Sequence, residues 1–296
     1  MTEERKSAPI IGLIRYSQKI SFTPHEINVF EKNYFEYRYK IFTDVTLKSF
    51  EDQSNKNFLL VIIHSESMPQ TYRERFINLE LKYPFLNNYF LQDTAESLDN
   101  LLKQTKNLID FKNNCGLTFR IDNDDAVPTN FIENISLFLN PAFIGSCISL
   151  PSILIVKRTK TDTYLVEKRY APSNAIGLAY VTSQNNFKTI LDVNQHHLVN
   201  ESNNLILLPK NGGKPIQTIN GENAFNTIND SNSTAFTEEQ LRKFLKENNY
   251  DKINLKCLKI LKNQKRKSIK DVINLFIPPI FKVLAFKINT FIKQRK

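Results

Sequence analysis

The residues best equipped to do chemistry cluster in one short stretch, residues 116–128, GLTFRIDNDDAVP. An apolar, extended-looking run (Leu117, Phe119, Ile121) stops at four polar residues, Asp122, Asn123, Asp124 and Asp125. Carboxylates packed so closely repel one another and are costly to bury. A divalent cation neutralises such a group, and Mg²⁺ or Mn²⁺ takes carboxylate and phosphate oxygens. In an extended segment residues i and i+2 project to one side. Asp122 and Asp124 can therefore face one ion, with Asp125 helping. A strand end is also where open α/β sheets keep their ligands. The same residues suit a structural role too, as an acidic turn whose Asp125 caps the next helix.

Positioning that turn requires a strand before it and a sheet around it. Residues 10–16 (IIGLIRY) and 58–63 (FLLVII) are apolar runs that read as strands, the second buried on both faces. Residues 88–91 and 117–121 supply two more. Helical spacing appears at 39–53, 70–82 and, most clearly, 96–111, whereas 22–37 reads as irregular and aromatic. A β-α-β-α-β-α-β order thus precedes the carboxylates. It predicts an α/β fold with a mainly parallel sheet and right-handed crossovers. Pro128 opens a helix over 130–139. The second half changes character. Residues 152–157 and 163–168 alternate, are rich in β-branched residues and predict a hairpin, while 171–183 reads as a loop entering a short strand. Residues 220–233 read as an Asn-rich loop. Thr237 with its following glutamates marks a helix start near 236–248.

Composition narrows the class. Seven glycines and no GxGxxG make a dinucleotide-binding fold improbable, and no GxSxG, HExxH or CxxC pattern competes with the acidic turn. Three scattered cysteines, Cys115, Cys147 and Cys257, suit a reducing cytoplasm and offer no zinc spacing. The N-terminus lacks an apolar h-region, so no secretory signal is read. The net charge of +10 is lopsided: residues 262–296 hold ten Lys and Arg against one acid, and the body is nearly neutral. A nucleic-acid-binding domain spreads its basic residues over a folded face instead. Residues 263–296 pair that charge with an apolar stretch broken by Pro278, Pro279, Lys282 and Lys287. Beyond the prolines, helical spacing separates lysines from Phe281, Leu284, Ile288 and Phe291. This is the pattern of a helix lying on an anionic membrane surface.

Three blocks carry a family resemblance. TFRIDNDDAV resembles the "TRxDNDDA" signature of a bacterial rhamnosyltransferase family with the GT-A fold, related to glycosyltransferase family 2. Residues 46–69, TLKSFEDQSNKNFLLVIIHSESMP, resemble its "PSLxxQTDxNFxxLVLxDxxxP" block, and residues 219–226, INGENAFN, its "HGxNxSN" block. The resemblance implies a metal-dependent transferase that uses a nucleotide-sugar donor and a glycan or lipid-linked glycan acceptor, in bacterial surface-polysaccharide synthesis. It implies a donor half over about 1–128, an acceptor half over 129–235, a helical extension at 236–262 and the membrane-associating basic tail. The enzyme is then cytoplasmic and peripheral on the inner face of the membrane. The loop after the second strand receives the nucleotide, which makes His64, Ser65 and Glu66 candidates; His64 equally suits a satisfied loop histidine. Arg15 at the end of the first strand can reach a diphosphate. Asp122 and Asn123 join the nucleotide-sugar set, Asp122 either through the ribose hydroxyls or on the ion. His197, in the pair His196-His197, is a further candidate metal ligand. Transfer also needs a general base at the acceptor; the family-2 "ED" pair is missing, and Asp192 and Glu222 are the candidates. A metal-dependent nucleotidyltransferase or phosphatase, or a non-catalytic glycan binder, are the competing readings.

Overall fold

The computed structural model describes residues 7–17, 28–92, 94–111, 113–193, 204–209, 213–221, 228 and 232–261. The chain divides into a unit over residues 1–260 and a second over 261–296. The basic tail belongs to the second unit and lies outside the described residues.

In the first unit, β1 (Ile10–Arg15), α1 (Lys32–Ile41), α2 (Leu47–Glu51), β2 (Leu59–Ser65), α3 (Gln70–Lys82), β3 (Leu86–Leu91), α4 (Ala95–Leu108) and β4 (Cys115–Arg120) follow in order. Their four strands are parallel and lie side by side as β3-β2-β1-β4. The chain therefore winds to one side of β1 and then crosses to the other. The ends of β1 and β4 flank a topological switch point, where a crevice opens in sheets of this kind. After α5 (Phe131–Ser136), β5 (Cys147–Ser149), β8 (Leu178–Ser183) and β9 (Leu205–Leu207) extend the sheet beyond β4 in the order β8-β5-β9. Only β8 runs against the other strands. The hairpin of β6 (Ser152–Lys160) and β7 (Thr163–Tyr170) builds a second sheet, flanked by β10 (Ile216–Ile219) and β11 (Ser233–Thr237). α6 (Glu238–Glu247) follows, capped at Thr237 by the capping box its sequence announces.

Period-2 alternation sorts the large sheet into two cores. Ile10, Ile14, Leu60, Ile62, Leu117 and Phe119 face one way, and Ile11, Leu13, Leu59, Val61 and Ile63 the other. Gly12 belongs to the first face but has no side chain. A Cβ there would lie 2.5 Å from Leu60 Cδ2 and closer still to Phe119 Cζ, so the Phe119 ring fills the space that Gly12 leaves. A third core gathers Ile41, Val45, Leu154, Val156, Tyr164, Ile216, Leu241, Leu245, Tyr250 and Leu258. Within the helical extension expected over 236–262, residues 236–258 thus pack against the second sheet.

One segment departs from its sequence reading. Residues 32–37, read as irregular, are the start of α1, capped by Glu31, whose carboxylate accepts from the backbone N–H of Asn33 and Tyr34. The aromatics at 34, 35, 37 and 39 lie all round this helix, so no apolar stripe betrays it. Among the described residues no helix is long and apolar enough to cross a membrane.

Candidate functional site

The acidic turn sits at the C-terminal end of β4, at the switch point. Asp125 N–H donates to the Asp122 carbonyl at 3.3 Å, closing the turn. Ala126 then pairs with Ile216 of β10 through two backbone hydrogen bonds of 3.0 and 2.8 Å. The turn is therefore the seam between the two sheets.

Its side chains separate rather than converge. Asp122 is exposed and faces Arg120, with Nη2 to Oδ1 at 3.6 Å. Asp124 is buried, and its Oδ2 accepts from Arg38 Nη1 at 3.0 Å and from Asn220 Nδ2 at 2.8 Å. Asp125 turns into the seam, where Oδ1 accepts from Thr218 N–H at 3.2 Å. Thr218 Oγ1 donates to the Asp124 carbonyl at 2.7 Å. Asn123 is buried; its amide donates to the Tyr16 carbonyl at 3.3 Å, and its Oδ1 accepts from Arg38 Nη2. Tyr37, beside Arg38 on α1, donates from its hydroxyl to the Asn220 carbonyl at 3.1 Å. α1, β1, β4 and the end of β10 thus meet on Asn123 and Asp124.

The electrostatics follow from burial and charge. Burial pushes the Asp125 carboxyl well above the usual range, and the neighbouring Asp124 and Asp122 charges push the same way. Burial works against the Arg38 charge, but Asp124 together with the nearby Tyr34 and Tyr16 more than offsets it, and the guanidinium is held more firmly protonated than usual. Arg15, at the end of β1, is depressed, first by burial and then by the nearby Arg120, with Asp122 partly compensating.

These placements sort the sequence candidates. Arg15, Asp122, Asn123 and Asp124 come together at the switch point. Ser65 and Glu66 line an open depression with Ser67 and Gln92 beyond the ends of β2 and β3. His64 lies inside β2 instead of in the loop after it. It is fully buried, its Nε2 is 3.0 Å from Asn88 Oδ1, and its ring stacks on Phe90 at 4.9 Å. Asp192 is exposed and engaged locally, accepting from Thr189 N–H at 2.7 Å and Thr189 Oγ1 at 2.8 Å. His197 and Glu222 lie outside the described residues.

Three contributors escaped the sequence reading, Arg38, Thr218 and Asn220. Asn220 carried a signal, since it opens the polar part of the INGENAFN block. Arg38 carried none, being one cation in an aromatic-rich run.

Among the described residues, no three His, Cys, Asp or Glu side chains gather as a metal cage. A cation carried by a diphosphate asks less, one or two carboxylates with phosphate and water completing its shell. The carboxylates the turn offers for it are the exposed Asp122 and the buried Asp124, whose Oδ2 is already held by Arg38 and Asn220; Asp125 is turned toward Thr218.

In an open α/β sheet ligands bind at the switch point, and here that point carries an acidic turn and two arginines. The family model described as "Putative rhamnosyl transferase" matches residues 10–232. The chain belongs to that glycosyltransferase family. No curated protein matches it significantly in sequence. Solved structures similar to it include S. aureus TarS residues 1–349 in complex with UDP, at 13% identity and a TM-score of 0.29, covering 51% of this chain and 35% of that one. The S. aureus TarS structure matches at 12% identity and a TM-score of 0.29, over 51% of this chain and 21% of that one.

Proposed function

We propose that this transferase moves a sugar from a nucleotide-sugar donor to a glycan or lipid-linked glycan acceptor in bacterial surface-polysaccharide synthesis, with Mn²⁺ or Mg²⁺ held in part by Asp122 and Asp124. The observation that carries the donor reading is the meeting of Arg15, Arg120 and Asp122 at the ends of β1 and β4. Two guanidiniums face one carboxylate there, and burial makes the Arg15 charge costly. A diphosphate relieves that cost and takes the forked donors of arginine well. The ion, when bound, neutralises charge developing on the departing diphosphate. Arg15 and Arg120 orient the same group, Ser65 and Glu66 border the depression that suits the nucleoside, and Asp122 closes the metal side. The basic residues 263–296 would keep the enzyme on an anionic membrane surface, near a lipid-linked acceptor.

A thermal-shift and calorimetric screen of nucleoside diphosphates and nucleotide sugars, with Mn²⁺ or with excess EDTA, tests this. Ligand at 100-fold over Kd stabilises a folded protein by about 2.7 kcal/mol. Stabilisation should need the metal, and Arg15→Ala should weaken binding about tenfold or more, as loss of a charge-assisted hydrogen bond does. Equal affinity in EDTA would remove the metal from the proposal. Silence toward every nucleotide tried would remove the donor.

A further inference from the structure

We propose that Arg38 is a positioning residue that occupies the cation's place on Asp124 Oδ2, so that a divalent ion must displace its guanidinium to bind that oxygen. The inference rests on the metal-assisted reading above but concerns a residue of α1 outside every sequence motif. One guanidinium bridges Asn123 and Asp124 with its two terminal nitrogens, and its Nη1 lies 3.0 Å from Asp124 Oδ2. The Arg38 side chain is 17% exposed and that of Asp124 7%, so water screens the pair little. Asn220 donates to the same Oδ2, and its own carbonyl is held by Tyr37, the residue before Arg38. The carboxylate oxygen is therefore satisfied by a resident cation and an amide before any ligand arrives. A hard cation and a guanidinium cannot both take one oxygen in the same direction. A free ion gains little by the exchange. An ion arriving with a diphosphate brings acceptor oxygens to which the released guanidinium can turn. The arrangement makes cation binding conditional on the nucleotide. It protects the turn from adventitious ions and gives Arg38 two partners in succession, Asp124 and then phosphate.

The test is Mn²⁺ titration of the full chain by calorimetry, without nucleotide, for wild type, Arg38→Gln and Arg38→Lys. One opposite charge beside a carboxylate changes its proton affinity by one to three pKa units, so removing it should tighten Mn²⁺ binding about tenfold or more. Arg38→Lys keeps the charge and should stay within about threefold of wild type, despite losing the bridge to Asn123. A purely structural role would predict weaker Mn²⁺ binding in Arg38→Gln, not tighter. Should Arg38→Gln fail to fold, the wild-type protein supplies a second readout. NMR should show the Arg38 guanidinium resonances shifting when Mg²⁺ and UDP or dTDP are added together but not when UDP or dTDP is added with EDTA, and resonances that stay put in both cases overturn the inference. If wild type binds Mn²⁺ with UDP or dTDP but Arg38→Gln gains nothing without them, the inference falls and the metal-assisted reading stands. If no form binds Mn²⁺ under either condition, both fall.

Discussion

The clearest quantitative expectation concerns His64 and pH. Its ring is enclosed by Tyr16 from β1 at 5.5 Å, Phe76 from α3 at 4.3 Å and Phe90 from β3 at 4.9 Å. Among the described residues Asn88 is its hydrogen-bonding neighbour, through Nε2, while the buried Nδ1 has no partner there. The cation that acts on it is Arg73, whose guanidinium lies 4.4 Å over the Phe90 ring. Burial lowers the imidazole to about 3, from an ordinary value of 6.5; the Asn88 bond opposes this and Arg73 adds to it. The unfolded chain therefore binds a proton between pH 6.5 and 3 that the folded chain refuses, and stability is lost as pH falls through that window. At 1.36 kcal/mol per unit, the loss is about 0.2 kcal/mol at pH 7 and about 2 kcal/mol at pH 5. Asp125 works in the opposite sense, because its raised pKa makes the folded state the better proton acceptor at low pH. A comparison is therefore needed to isolate the histidine. Urea denaturation of wild type and His64→Gln at pH 7, 6 and 5 supplies it. Whatever His64→Gln costs at pH 7, the gap between the proteins should move by about 2 kcal/mol in the variant's favour by pH 5. A gap constant to within about 0.5 kcal/mol, the scatter expected of independent terms, would show that His64 charges freely in the folded protein and that its burial is misread.

Two further outcomes bear on the scaffold and the tail. Gly12→Ala places a methyl group against Phe119 and Leu60 in the middle of β1, and overpacking of this kind costs about 1–3 kcal/mol. Thermal melting should fall by about 2–10 °C for a domain this size; a variant melting with wild type would show that β1 shifts at no cost. Deleting residues 263–296 should release the protein from anionic liposomes while sparing nucleotide binding. Full-length protein that ignores such liposomes at low salt would end the membrane proposal.

β1, β2 and β4 were legible in the sequence because they are buried on both faces, whereas the short β5 and β9 were not. Leu59–Ser65 is buried at every position, and an apolar run that is continuous yet too short for a helix points to a strand covered on both sides. The helix Gln70–Lys82 was readable to its end residues. α1 was not, because tyrosines spread round a helix carry no stripe. The site was legible to the same degree as its locality. Asp122 to Asp125 are neighbours in sequence, so their chemistry could be read together. Which partner each carboxylate takes depends on residues 86 and 96 positions away, Arg38 and Asn220, and on Thr218, 93 away from Asp125. Sequence spacing carries no information about contacts at that separation. Local repulsion alone points to an ion on Asp122 and Asp124 with Asp125 helping; the folded protein also eases that repulsion by giving each carboxylate its own partners.

That division has a consequence for how the site is assembled. Arg38 reaches the turn from α1, while Thr218 and Asn220 reach it from β10, a strand of the second sheet. β10 is fixed in turn by its parallel pairing with β6 and by the Ala126–Ile216 bridge. Tyr250, beyond α6, donates to the carbonyls of Lys214 and Ala126 at 2.7 and 3.3 Å, tying the third core to both strands of the seam. Without β10, Asp125 would lose the Thr218 N–H and Asp124 one of its two donors to Oδ2, leaving buried acceptors short of partners at a cost of about 1–3 kcal/mol each. The acidic turn is therefore stable in its buried form only once the four-stranded sheet has docked on the seven-stranded one. The turn and the second sheet are thus coupled through Asp124, Asp125 and Ala126, so the arrangement of the turn depends on folding of the second half of the chain.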